Sequence, residues 1–236
     1  KQSVETHIQY IRMLNSRTRM GLAGPLPPLH MIFKGNPGTG KTTVANLLGE
    51  IYASMGVLSC GKVIYVERKD LVGEVIGETE SIVKKVLKRA KGNILFIDEA
   101  YQLYSKDSDK DYGRIAMECL LTTLSKDSTD LIVILAGYEK EMNELISLNP
   151  GIDSRFPYHF HFDDYSIDEL LSIATQISTR LNYRLSEEAI ERIKVLTKVE
   201  MQKKKDSFGN ARYIKRLITN KILPQMALRT SALENP

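Results

Sequence analysis

The stretch Gly35-Asn36-Pro37-Gly38-Thr39-Gly40-Lys41-Thr42 has the spacing G-x-x-x-x-G-K-[ST]. These residue types suit a triphosphate. Gly35, Gly38 and Gly40 lack a Cβ, so the backbone can curl and turn successive N–H groups inward. Asn36, Pro37 and Thr39 fill out the arc. Lys41 supplies a mobile positive charge for the β- and γ-phosphates, and Thr42, followed by Thr43, offers a hydroxyl for Mg²⁺. A second constellation, Asp98-Glu99, ends the apolar run Asn93-Ile94-Leu95-Phe96-Ile97. A carboxylate at the end of a buried strand is costly unless it holds something. Asp98 suits the Mg²⁺ shell or, alternatively, caps the next helix. Glu99 can polarise an attacking water, a contribution of roughly 10²–10⁴-fold. Two arginines complete the candidates. Arg155, before a late strand, reads as a surface ion-pair partner or as a cation for charge growing on a γ-phosphate. Arg212 sits in the first turn of a helix, where a cation opposes the dipole. It reads as solvent-facing or as reaching an anion.

The elements around these residues follow from periodicity. Leu29–Phe33 reads as the strand before the phosphate loop, and Val44, Leu47, Leu48 and Ile51 fall at helical spacing after it. Further strands are expected at 62–66, 93–97, 131–136 and 158–162. Helices are expected near 1–20, from 82 to 90, 110–125 and 139–147, and Asn149-Pro150-Gly151 reads as a turn. From Ser166-Ile167-Asp168-Glu169, a capping box, only helical spacing remains: about 167–182, 187–204 and 210–229, with Asn210 as the N-cap of the last. Alternating strands and helices followed by a helical tail imply a parallel sheet covered on both faces, then a smaller helical domain. The expected division is 1–28 (helix and linker), 29–164 (nucleotide-binding α/β domain) and 165–236 (helical lid).

With 236 residues, 42% hydrophobic and 26% charged, the composition is that of an ordinary globular protein. A net charge of +4 is too mild to argue for nucleic acid, and Lys203-Lys204-Lys205 reads as a solvated helix end. Cys60 and Cys119 read as buried free thiols in a reducing compartment. No apolar run nears the roughly 18 residues of a membrane span, and no stretch reads as a signal peptide. The expectation is a cytoplasmic protein. The chain begins at Lys1 rather than Met, as an excerpt of a longer protein does.

Taken together, His30 to Thr43, Leu95 to Tyr101, Val133 to Tyr138 and Gly209-Asn210-Ala211-Arg212 resemble the AAA+ ATPases. The resemblance is to the CbxX/CfqX group of red-type Rubisco activases and stage V sporulation protein K, and it covers nearly the whole chain. It implies a P-loop NTPase with a three-layer parallel sheet of order 5-1-4-3-2, a C-terminal all-helical lid, and ATP with Mg²⁺ as ligands. It further implies a homo-oligomer, a hexameric ring with each site at a subunit boundary. Lys41 and Thr42 match Walker A, Asp98 and Glu99 Walker B, Arg155 the arginine finger acting on the neighbour's ATP, and Arg212 sensor 2. Leu71–Glu78 matches the pore loop. Two positions depart from the pattern. Tyr138 stands at sensor 1, where Asn or Thr is usual. The pore loop reads Val75-Ile76-Gly77, without the aromatic that many relatives carry.

The first functional expectation is an ATP-hydrolysing ring that remodels an unknown partner protein. The alternative is an ATP-gated assembly scaffold that moves no substrate, motivated by the missing aromatic. A DNA-loading protein and a small-molecule kinase fit less well. No helix-turn-helix or zinc module follows the lid, and Glu99 beside Asp98 favours water as the phosphoryl acceptor.

Overall fold

Alternation along two central strands sets the layers of the first unit. In the computed structural model, which describes residues 2–75, 77–104, 112–124, 130–203 and 207–231, β3 (Asn93–Ile97) is buried throughout and β4 (Leu131–Gly137) nearly so. Around them lie β1 (Met31–Gly35), β2 (Val63–Val66) and β5 (Tyr158–Phe162), in the order β2-β3-β4-β1-β5. This is the expected order read from the other edge. β2 with β3, β3 with β4 and β1 with β4 pair in parallel. Side chains alternate across a strand. Leu95, Ile97, Val133 and Leu135 therefore enter one core, with Val83 and Leu87 of α3 (Glu78–Ala90), Leu120 of α4 (Tyr112–Leu124) and Met142 of α5 (Glu139–Leu148). Ile94, Phe96, Ile132 and Ile134 enter the other, with Ile11 of α1 (Gln2–Arg19) and Leu48 and Tyr52 of α2 (Lys41–Ser54). Each fully buried side chain of this size contributes about 1.5–3 kcal/mol.

α1 is fastened to the same unit by polar contacts. Asn15 and Arg19 donate to the carbonyl of Met55, just past the end of α2, at 2.8 and 2.6 Å. A helix end leaves such carbonyls without partners of their own. His7 Nε2 lies 2.9 Å from the Tyr52 hydroxyl. Gly49, inside α2, lets the helix approach the turn before β2: a Cβ there would sit 2.1 Å from the Gly61 carbonyl oxygen.

Three expectations for this unit need correction. β1 begins at Met31, not Leu29, because ladder pairing starts at Met31 opposite Ile134; Leu29 and His30 are buried ahead of it. Asn149-Pro150-Gly151 is no turn but the start of a helix, α6 (Pro150–Arg155), in which the Asn149 side chain accepts from the Gly151 N–H and Pro150 occupies the first turn. Six residues are too few to show periodicity, yet the Asn-Pro pair is itself a helix-start signal. The cysteines are free as expected, but Cys60 is exposed and Cys119 only half-buried. Among the described residues no helix is long and apolar enough to cross a membrane.

The chain divides into two compact units: Lys1–Lys34 with Lys41–Phe162, and Gly35–Gly40 with Asp163–Pro236. The second holds α7 (Ile167–Arg180), α8 (Glu187–Lys203), α9 (Asn210–Leu217) and α10 (Leu223–Ser231). Ser166 and Glu169 form the expected capping box at the start of α7. Leu170, Ala174, Ile193, Phe208, Ile214 and Leu217 form this unit's core. The sequence expects one helix from 210 to 229. Instead a wide, π-helical turn, Ile218–Ile222, joins α9 to α10.

Two buried histidines make stability pH-dependent. His30 Nδ1 accepts from the Val133 N–H at 3.1 Å, which leaves the ring proton on Nε2, buried without a partner. Burial lowers His30 and His7 to about 4. The unfolded chain protonates near pH 6.5, so between these values it binds more protons than the folded one. The stabilisation is complete above about 6.5 and is lost as pH falls toward 4. Urea titrations should therefore give a lower unfolding free energy near pH 5 than near pH 7, and His30→Gln should flatten part of that slope.

Candidate functional site

A loop that turns its N–H groups toward a ligand turns carbonyls the other way, and those need donors. In the second unit α9 supplies them. The Ala211 N–H, at the start of α9, donates to the Gly38 carbonyl at 3.2 Å. Asn210 Nδ2 lies 3.3 Å from the Pro37 carbonyl. Helix-start N–H groups lack intrahelical partners, so loop and helix satisfy each other. Within the loop, the Thr39 hydroxyl donates to the Asn36 carbonyl at 2.8 Å, and Asn36 Nδ2 donates to the Asp164 carboxylate at 3.0 Å. The fit is close: a Cβ on Gly38, at φ +72°, would lie 2.4 Å from the Gly209 carbonyl oxygen and 2.8 Å from the Arg212 nitrogen.

Asn210 is not the N-cap of α9; Gly209 holds that place. The Asn210 side chain is wholly buried and turned elsewhere. Its Oδ1 accepts from the Tyr165 N–H at 2.9 Å, and its Nδ2 also donates to Asp164 Oδ1 at 2.7 Å and the Phe208 carbonyl at 3.0 Å. Its backbone sits at φ 45°, a conformation that Asn tolerates better than most residues. Arg212 follows, exposed, beside Gly38, and its guanidinium makes no ion pair or hydrogen bond with a described residue.

In the first unit, Lys41 opens α2, followed by Thr42 and an exposed Thr43. Thr42 and Asp98 line one cavity of about 330 Å³, together with Tyr65, Glu67 and Asp70. A hydroxyl and a carboxylate are hard oxygen donors that suit Mg²⁺. Among the described residues no three His, Cys, Asp or Glu gather as a metal cage. An ion here would complete its shell with phosphate oxygens and water, as Mg²⁺ commonly does. Asp98 is fixed by its N–H to the Val66 carbonyl at 3.0 Å, while its Oδ1 accepts from the Glu99 N–H at 3.0 Å.

Glu99 has a left-handed backbone, φ 48° and ψ 43°, and leads into a 3₁₀ turn, Ala100–Leu103. Its carboxylate accepts from Gln102 Nε2. Tyr138 stands at the N-cap of α5, its ring 6.0 Å from that of Tyr101. Burial, then the neighbouring Glu99 charge, raises the Tyr101 phenol above its usual range. Arg155, half-buried, ends α6: its Nε donates to the Leu121 carbonyl at 3.0 Å and its Nη1 to the Gly151 carbonyl at 3.0 Å. It does not line the Thr42–Asp98 cavity but a different one of about 300 Å³, with Tyr104, Arg114 and Asn149. In the loop ahead of α3, Glu78 Oε2 accepts from the N–H groups of Glu74 and Val75 at 2.9 and 3.4 Å. Val75 is 61% exposed, and Gly77, at φ 84°, is the N-cap of α3. Ile76 lies outside the described residues. Sequence reading missed Asn210 as a clamp and Gln102 as the partner of Glu99. The only signal for the first is an amide beside a glycine at a helix start.

Comparison with known proteins places the chain in a family. The model of the ATPase family associated with various cellular activities (AAA) matches residues 31–164, and that of the AAA lid domain matches 166–236. The chain is 45% identical over 213 residues to a chloroplastic ribulose bisphosphate carboxylase/oxygenase activase of Cyanidioschyzon merolae, covering 90% of this chain and 68% of that protein. It is 41% identical to stage V sporulation protein K of Bacillus subtilis (95% and 70% covered) and 41% identical to protein CbbX of Cereibacter sphaeroides (94% and 71%). Among solved structures, the FIGL-1 AAA domain in complex with ADP superposes with a TM-score of 0.62 at 21% identity, over 92% of this chain and 68% of that one. At that identity the likeness is one of fold.

The clamp generates a direct test. Asn210→Gly keeps the backbone angle accessible but leaves Asp164, the Tyr165 N–H and the Pro37 carbonyl short of a partner. Stability of the helical unit should fall by about 1–3 kcal/mol, read by thermal unfolding. Binding of a fluorescent ATP analogue should weaken, because the loop loses its outward support.

Proposed function

The chain belongs to the AAA family of ATPases, in the CbxX/CfqX group, and on that premise we propose that it hydrolyses ATP with Mg²⁺ at sites shared between neighbouring copies in a ring, and so remodels a partner protein. The observation that carries this reading is that Thr42 and Asp98 line one cavity, at the ends of the two motifs whose residue types suit a nucleotide and its ion. When bound, Mg²⁺ would supply neutralisation of the charge on the phosphates.

The roles follow from the residues' surroundings. The N–H groups of Gly38, Thr39 and Gly40 bind phosphate oxygens, and Lys41 draws in the terminal phosphates. Thr42 and Asp98 hold the ion. Glu99 takes up proton density from the attacking water. Arg212, exposed and without an ion-pair partner among the described residues, answers the γ-phosphate in its own subunit. Arg155 lines a cavity other than the Thr42–Asp98 one, which supports a role on a neighbour's nucleotide. Tyr138, at the usual sensor 1 position, orders the water side of the site through Tyr101. Relatives named as activases act on another protein, and the exposed Val75 supports a loop that meets one. The absence of an aromatic at Val75-Ile76-Gly77 favours the second reading, a nucleotide-gated scaffold. Val75→Glu separates the two: a remodeller loses turnover stimulated by its partner, and a scaffold does not.

Steady-state kinetics test the core of the proposal. Lys41→Ala should abolish ATP binding. Glu99→Gln should bind ATP and lose roughly 10²–10⁴-fold in kcat. Arg155→Ala should bind ATP and lose roughly 10³–10⁵-fold. Mixing Arg155→Ala with Lys41→Ala chains should restore part of the turnover, because some mixed boundaries pair an intact loop with an intact arginine. No recovery at any ratio would overturn the shared site.

A further inference from the structure

We infer that Gln102 is a positioning residue for the hydrolysis step, holding the Glu99 carboxylate so that one of its oxygens faces the attacking water. The inference rests on the reading of Glu99 as the residue that polarises that water. A general base has to be held in place as well as be basic, since a misplacement of about 1 Å can cost a hundredfold. Glutamate has three side-chain torsions, and left alone its carboxylate wanders.

Here it is not left alone. Gln102 Nε2 donates to Glu99 Oε2, while Oε1 makes no hydrogen bond with any described residue. One oxygen is anchored and the other is available. The backbone fits this purpose. Glu99 adopts φ 48° and ψ 43°, a left-handed conformation costing a non-glycine residue about 1–3 kcal/mol. That strain is held by the Glu99 N–H to Asp98 Oδ1 and by the Gln102 N–H to the Glu99 carbonyl at 2.8 Å. The turn thereby brings residue 102 back alongside residue 99, and two bonds join the same pair. Glu99 does not use its side chain to cap the 3₁₀ turn that it precedes, so the bond to Gln102 is not an ordinary helix-start contact.

Gln102 is itself fixed from outside the turn. Arg68 Nη1 donates to its carbonyl at 2.6 Å. Arg68 reaches it across Gly113 of α4, where a Cβ would lie 2.1 Å from Arg68 Nη1. Arg68 opens the short 3₁₀ turn Arg68–Asp70, whose last residue precedes Leu71 at the root of the Val75–Gly77 loop. The carbonyl of Gln102 thus ties the root of that loop to the turn that carries Glu99. Gln102 does not line the Thr42–Asp98 cavity, so its effect falls on the chemical step and not on nucleotide binding.

The test uses the whole chain with ATP and Mg²⁺, reading kcat, binding of a fluorescent ATP analogue and thermal unfolding. Gln102→Met keeps the length of the side chain and removes the donor. It should lower kcat about ten- to a hundredfold with nucleotide affinity and melting temperature unchanged. Gln102→Glu, which sets a like charge against Glu99, should lower kcat at least as far. In a Glu99→Gln background, Gln102→Met should change nothing further, because its only route to the reaction is gone. A merely structural role would instead add its loss in both backgrounds. If Gln102→Met and Gln102→Glu both turn over at the wild-type rate while Glu99→Gln does not, this inference is overturned and the reading of Glu99 stands. If Glu99→Gln itself turns over normally, the reading of Glu99 falls first and the inference falls with it.

Discussion

A peptide unit has two polar ends, and a loop that aims one of them at phosphate must find a home for the other. That constraint organises the helical unit. The carbonyls of Pro37 and Gly38 meet the Asn210 amide and the Ala211 N–H, while the opening turn of α9 needs acceptors of its own. Each side leaves a deficit that the other fills, which is why Gly35–Gly40 group with residues 163–236 rather than with the sheet their chain emerges from. Asp164 is drawn into the same knot by Asn36 and Asn210, and Arg212 is carried to Gly38 as a result.

The sheet solves a different problem. The interior of a strand buried on both faces is apolar, so a carboxylate falls at its tip. In β3, past Asn93 at its start, the alternation of Ile94 and Phe96 against Leu95 and Ile97 spends each side chain on one core or the other. Asp98 is the first residue free of that duty, and Glu99, bent into a left-handed backbone, is the second. The neighbouring strand shows the same logic: β4 remains apolar to Gly137, and Tyr138 follows at once as the cap of α5.

This division explains what could be read from the chain alone. Apolar runs, the phosphate-loop spacing, the Asp98-Glu99 pair at a strand end and the capping box at Ser166 are local patterns and are legible in the chain, whereas the strand order follows from the family resemblance and from no local pattern. Asn210 reads as a cap because a polar residue before a helix normally serves that end. Besides the Phe208 carbonyl, its partners lie 45, 46 and 173 residues away in the chain, and no local pattern encodes them. Gln102 was missed for the opposite reason. It lies three residues from Glu99, and the short 3₁₀ turn that sets the two side chains together leaves no period in the sequence. α6 hid in six residues, too short for any period, although Asn149-Pro150 announced it.

The wide turn Ile218–Ile222 carries a consequence for how the chain's end can change. A five-residue turn holds one residue more than an α-helical one allows, and each residue of an α-helix rotates the next by about 100°. The face that α10 presents is therefore offset from that of α9, and Leu228 stands 70% exposed on it. Deleting a single residue there would swing the whole terminal segment around its axis while leaving Asn210 and Arg212 where they are. The last helix can thus be re-aimed by one codon, without disturbing the contacts of Asn210 and Ala211 with the Pro37 and Gly38 carbonyls.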